Sequence, residues 1–121
     1  MESNPEIIHH IVDSLQSQHN PFNYGYHNRI SNGVRGLYAF WLGSRCCLYV
    51  GRSTDIQDRM HDHIMREHNP CLDKYFKAFP QDIEVSYVTL CGWSVAKLEH
   101  YEGQLIKVLR AICNVTHKKT Q

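Results

Sequence analysis

Two aromatic and aliphatic runs, Gly36–Leu42 and residues 45–50, are separated by nothing more than Gly43-Ser44. Runs of this composition favour strands, and so short a gap leaves them one way to pair, as an antiparallel hairpin. A Gly-x pair suits a two-residue type II′ turn. With that turn Leu42 faces Arg45, and counting back in register sets Tyr38 directly opposite Tyr49, a relation that puts Cβ atoms about 4.5–5.5 Å apart on one sheet face. A longer loop would shift the register by one and separate the two phenols.

Gly51 is expected to end the second strand, and Ser53 and Thr54 to open a helix with Thr54 and Gln57 as a capping box. On that helix Ile56, Met60 and Ile64 recur at core spacing, while Arg59, His63 and Arg66 form a separate cationic stripe roughly 60–100° round the axis. The helix should stop near Asn69-Pro70, because a residue before proline disfavours the α region. Residues 71–79 suggest a second short helix carrying Leu72, Tyr75, Phe76 and Phe79. Ile83, Val85, Tyr87 and Thr89 alternate with their neighbours as in a third, partly exposed strand. After a turn at Gly92-Trp93, Ser94 caps a final helix that runs to about Arg110. Upstream, Ile7, Ile8, Ile11, Val12 and Leu15 share one face of a helix over residues 4–19, with Asn4 as its cap and Pro5 at its first position. Residues 20–33 contain Pro21, Gly25, Phe22, Tyr24 and Tyr26, the composition of an ordered loop that packs through its rings.

The final helix carries an anomaly. Val95, Leu98, Leu105, Ile106 and Leu109 define an apolar stripe, and at 100° per residue they all lie within about 60° of the direction of Glu102. A carboxylate therefore sits in the middle of the apolar face, with Glu99 at its edge. Burying it unpaired is costly, so Glu102 should meet an arginine, a lysine or a metal ion. Arg52 and Arg59 are the candidates for a purely structural pair.

A chain of 121 residues, 42% hydrophobic and 21% charged, is expected to form one soluble domain, and no apolar run approaches the length of a membrane span. The N-terminal Met1-Glu2-Ser3-Asn4-Pro5-Glu6 lacks the basic start and apolar core of a secretory signal, which points to the cytoplasm. Five cysteines, with Cys46-Cys47 adjacent and no Cys-x-x-Cys, suggest neither a disulfide framework nor a zinc knuckle, so reduced thiols are expected. A net charge of +1 does not by itself predict nucleic-acid binding, and any such function must come from local clustering.

Taken together, Gly36-Leu37-Tyr38, ten residues later Tyr49-Val50-Gly51, then Arg59 with His63 four later, and Glu102 followed by Gln-Leu-Ile with Asn114 twelve on, form an ordered set. It resembles the GIY-YIG nuclease superfamily, which includes catalytic domains of intron-encoded homing endonucleases, certain restriction enzymes and the incising subunit of bacterial excision repair. The resemblance covers roughly residues 34–116. It implies an α/β (α+β) fold, a small three-stranded, mainly antiparallel sheet flanked by helices, with residues 1–33 as an added N-terminal helix and loop and 117–121 as a tail. Leu37 and Val50 replace the isoleucines of the family's name, and Ala111 stands where a proline is common.

The resemblance also implies hydrolysis of a nucleic-acid phosphodiester, most readily DNA, with one divalent cation, Mg²⁺ or Mn²⁺, held by Glu102. Arg59 would contact the scissile phosphate, Tyr38 would be the favoured general base or water-orienting group, Tyr49 its partner, and Asn114 a brace. Arg52, Arg66 and Asn114 make up the expected phosphate-binding set. A phenol with an ordinary pKa near 10 needs nearby positive charge to act as a base at neutral pH, and Arg52, Arg59 and the metal could supply it. The other candidate base is His63, with Tyr38 only positioning the water. With no appended DNA-binding module, specificity would come from the N-terminal segment, from homodimerisation or from a separate targeting partner. The alternative reading is a non-catalytic nucleic-acid-binding module that keeps the fold. A zinc-bound structural protein using His61, His63, His68 and the cysteines fits poorly, because His61 and His63 point to different helix faces.

Overall fold

The computed structural model describes residues 4–23, 25, 29–44 and 46–114; Tyr24, Tyr26, Arg45 and the 117–121 tail, named above, lie outside them. Among the described residues the chain forms helices α1 (Pro5–Ser17), α2 (Ile56–Met65), α3 (Pro70–Ala78) and α4 (Val95–Leu109), and strands β1 (Asn20–Pro21), β2 (Gly36–Leu42), β3 (Cys46–Ser53) and β4 (Ile83–Thr89). The architecture is α+β. The sheet is antiparallel throughout, in the order β1-β4-β2-β3.

Strand β2 is the axis of the fold because it is buried on both faces. Leu37, Ala39 and Trp41 point into one core with Ile11 and Leu15 of α1 and Leu98, Tyr101 and Leu105 of α4. Tyr38 and Phe40 point into the other, with Ile56 and Met60 of α2 and Leu72 of α3. A strand clothed on both sides shows a continuous apolar run in place of alternation.

The sheet has four strands where three were expected. Asn20 and Pro21 pair with Val85 and Glu84, and Phe22 N–H donates to Ile83 O at 3.0 Å. Two residues, one of them a proline, leave no period-2 signal, and proline is tolerated here because β1 is an edge strand.

The hairpin register also differs. Leu42 pairs with Cys46, so the loop between them holds three residues, and Gly43 adopts φ +75°. A bulge follows: Phe40 pairs with Tyr49 but Trp41 with Cys47, leaving Leu48 extra on β3. Leu48 and Tyr49 therefore pack against the same core although they are consecutive. The longer loop and the bulge each displace β3 by one residue, and together they restore the original face. Tyr38 is opposed by Gly51 rather than Tyr49, yet Tyr49 remains on its side as a diagonal neighbour, with ring centroids 6.2 Å apart.

Gly51 does not end β3, which continues to Ser53. The Tyr38 ring lies directly over it, where any Cβ would collide with the ring and the hydroxyl. Gly36 is likewise required, since a Cβ there would meet the Val88 carbonyl.

The helix caps lie close to their expected places. The Asn4 side chain accepts from Glu6 and Ile7 N–H, and Ser94 accepts from Lys97 N–H. Helix α2 is capped by Asp55 rather than Thr54, through a side-chain bond from Asp58 N–H. It ends at Met65, short of Asn69-Pro70, with Arg66 already extended at φ −161°. Asn69 and Pro70 instead start α3, Asn69 accepting Leu72 N–H at 3.0 Å. Val95, first in α4, is exposed and drops out of the apolar stripe.

The expectation of reduced thiols fails at one pair. Cys71, in the first turn of α3, is bonded to Cys113, which follows α4, with Cα atoms 5.3 Å apart. They meet because residues 112 and 113 run along β3, donating N–H to Cys47 O and Leu48 O at 3.2 and 2.7 Å. No spacing rule reveals that meeting. Cys46, Cys47 and Cys91 are free, and burial pushes the Cys47 thiol up to about 12. No helix among the described residues is long and apolar enough to cross a membrane.

Gly51→Ala should cost about 1–3 kcal/mol, the usual range for overfilling a packed site. Urea unfolding measures it. A variant as stable as wild type would show that Tyr38 is not held over position 51.

Candidate functional site

Strands β2 and β3 carry the two phenols to the end of α2, where His63 is turned inward. Its side chain is only 8% exposed, so the stripe expected from Arg59, His63 and Arg66 is broken: the arginines are exposed and the histidine is core. The Tyr38 hydroxyl and His63 Nε2 are 2.8 Å apart. On the other side of the ring, Nδ1 lies 2.5 Å from Glu67 Oε1, and Glu67 Oε2 accepts Asn69 N–H at 3.0 Å. Glu67 is a residue that sequence reasoning missed. Its only sequence signal is the i, i+4 spacing from His63, and that spacing has no helix to rest on after Met65.

Tyr49 packs edge-on to His63, with centroids 5.8 Å apart. Together with Arg59, Asp62, His63, Arg66 and Glu67 it lines a cleft of about 200 Å³. Tyr38 is fully buried behind that cleft. Arg59 and Arg66 have no ion-pair partner among the described residues. Their guanidinium groups stand at the cleft with unused charge.

Glu102 comes from the opposite face of the sheet, since α4 packs on the first core. It reaches the same neighbourhood around β3, the edge strand, and its charge acts on both phenols. The cation it was expected to need is Arg52, at 2.7 Å, with Glu99 at 3.8 Å from the same guanidinium. The Arg52 guanidinium is thus engaged by two carboxylates. Asn114 is committed as well: its side chain accepts Val50 N–H at 2.8 Å and donates to Val50 O at 2.9 Å, as a neighbouring strand would.

The electrostatics follow from this layout. Burial pushes the Tyr38 phenol well above its ordinary value; Tyr49, Glu102 and Glu67 push the same way, and Arg59 opposes them. Tyr49 is also raised, chiefly by burial and then by Glu102 and Glu67, while Arg59 and a hydrogen bond with Tyr38 lower it. Burial raises Glu102 too, and outweighs the Arg52 pair. Burial is the leading cause in all three, so each group is held toward its neutral form.

Among the described residues no group of three or more His, Cys, Asp or Glu is arranged to hold a metal ion. An ion would rest on Glu102 and water. The residues fit Mg²⁺ or Mn²⁺ in that sense: Mg²⁺ usually takes one or two carboxylates and keeps several waters. One Glu102 oxygen is given to Arg52, and the other has no hydrogen-bond partner among the described residues. An ion there would share the carboxylate with Arg52.

The raised Glu102 value sets a sign. A carboxyl whose folded pKa lies above its unfolded one contributes stability at low pH, and that stability is lost as pH rises from the ordinary carboxylate range through the folded value. Glu102→Gln is neutral throughout, so wild type should lose melting temperature relative to the variant as pH rises upward from the ordinary carboxylate range. The opposite trend would mean that the Arg52 pair outweighs burial.

No protein-family model and no curated protein matches this chain, so its function is read from the geometry of the cleft.

Proposed function

We propose that the chain is a metal-dependent endonuclease of the GIY-YIG type, hydrolysing nucleic-acid phosphodiester bonds, with DNA as the preferred substrate. The observation that carries this reading is the grouping of Tyr38, Tyr49, Arg59, His63 and Glu102 around β3, with the Tyr49 phenol, the His63 imidazole and the Arg59 guanidinium lining a single cleft and the Tyr38 hydroxyl buried behind it against His63. These are the groups a phosphodiester requires: an acceptor for the proton of water, and fixed positive charge for the phosphoryl oxygens.

Arg59 and Arg66 receive the phosphate at the cleft. The attacking water lies against Tyr49, the phenol that lines it, and its proton passes from Tyr49 to Tyr38 and on to His63 Nε2. Each phenol gives up one proton as it takes one, and neither need carry full negative charge in a site that already disfavours it. His63 is the terminal acceptor, and Tyr38 is the link rather than the base. The hydroxide bonds to phosphorus, the bond to the leaving sugar oxygen breaks, and that oxygen takes a proton from solvent. His63 then returns its proton to water. A Mg²⁺ or Mn²⁺ ion at Glu102, when bound, would supply charge for the non-bridging and leaving oxygens.

One observation favours the second reading, a non-catalytic nucleic-acid-binding module: Glu102 is already paired with Arg52. Target choice is assigned to residues 1–33, to a homodimer or to a separate partner. The Cys71–Cys113 bond pulls against a reducing, cytoplasmic setting, where such bonds are rare.

Incubation with supercoiled plasmid, single-stranded DNA and structured RNA, in Mg²⁺, Mn²⁺ or EDTA, separates the readings. Wild type should cut in the metals and not in EDTA. Glu102→Ala should lose cleavage while remaining folded, and Arg59→Ala should lose about 100–1,000-fold in rate with much less effect on binding. Binding without cleavage by wild type establishes the module instead.

A further inference from the structure

Glu67 is a carboxylate that the family pattern does not use, placed just beyond the end of α2 with a side chain only 5% exposed. Burying a carboxylate is costly unless its oxygens are occupied, and here they have two specific tasks. Oε2 accepts the backbone N–H of Asn69, and Oε1 faces His63 Nδ1. Asn69 is in turn fixed as the cap of α3, so the carboxylate is anchored to rigid backbone.

From this geometry we infer that Glu67 is the positioning residue of the cleft, holding His63 as the Nδ1–H tautomer so that the Nε2 lone pair accepts the Tyr38 hydroxyl. An ionised carboxylate can only accept, so the hydrogen between the two groups belongs to Nδ1. Which ring nitrogen carries the hydrogen is set by the partner of the other nitrogen. With Nδ1–H given to Glu67, the Tyr38 O–H donates to Nε2, and a proton arriving through Tyr38 finds a vacant lone pair. With the other tautomer, Nε2–H would point at Tyr38 and the path would be blocked. Both Glu67 oxygens are already occupied, so it acts through His63, in the way the carboxylate of a Ser-His-Asp triad orients its imidazole.

Glu67→Gln tests this because the amide has one acceptor where the carboxylate has two. Asn69 N–H requires that acceptor, which turns the amide NH₂ toward Nδ1 and forces the hydrogen to Nε2. The nitrogen spectrum of His63 at about pH 8, where an imidazole is ordinarily neutral, reads the tautomer directly. Wild type should show a protonated Nδ1 and a bare Nε2; Glu67→Gln should show the reverse, with a melting temperature close to wild type. In the cleavage assay, kcat should fall by about 100-fold or more with KM nearly unchanged, the pattern of a lost orientation rather than lost binding. Wild-type His63 carrying a hydrogen on Nε2 overturns the inference even if Glu67→Gln fails to fold, and so does an unchanged tautomer in a folded variant. The mechanistic role of Glu67 rests on the nuclease reading, but the tautomer does not. A protein that cuts nothing yet shows the expected spectra refutes the nuclease and keeps the positioning.

Discussion

Everything in this domain is arranged around a strand with no free face. Because β2 is covered on both sides, a one-residue slip would exchange Leu37, Ala39 and Trp41 with Tyr38 and Phe40 between two cores of different shape. Neither core could accept the other's set. Helices α1 and α4 must then cover one face and α2 and α3 the other, and the two faces can communicate only around an edge of the sheet. That requirement brings Glu102, from one face, to the phenols of the other at the end of β3.

The second constraint is charge. Tyr38, Tyr49 and Glu102 are all shifted toward their protonated forms by burial, and the carboxylates of Glu67 and Glu102 reinforce the shift on both phenols. Arg59 lowers all three, and is exposed. Burial therefore holds these groups toward their neutral forms, and Arg59 offsets it only in part. Proton transfer along a chain of neutral donors suits such a site better than a standing phenolate.

What could be read from the chain, and what could not, divides by distance. The Asn4 and Ser94 caps and the strand over Gly36–Leu42 were legible because each depends on a few adjacent residues. The need of Glu102 for a cation was legible from helical phase alone, although the choice of Arg52 was not. The inward turn of His63 was hidden because the partners that stabilise it, Tyr38 and Glu67, lie on a distant strand and beyond a helix end. The bulge at Leu48 was invisible for a different reason: the hairpin is regular in composition, and the irregular pairing goes with the placement of Tyr38 over Gly51. The Cys71–Cys113 pairing and the two-residue strand β1 depend on which segments pack side by side, a matter the local pattern does not encode.

The segment after α4 closes over the outer edge of β3, and this has a bearing on how the molecule comes to be folded. The Asn114 side chain grips Val50 across 64 residues, Asn69 reaches Cys113 across 44, and Glu102 meets Arg52 across 50. Contacts of such separation form late, because chain entropy must be surrendered before they return any energy. The helices and the β2–β3 hairpin can be built from local contacts beforehand. That loop-closure cost falls on the segment tied to α3 by the Cys71–Cys113 bond, so once formed the bond holds the closure over β3 in place.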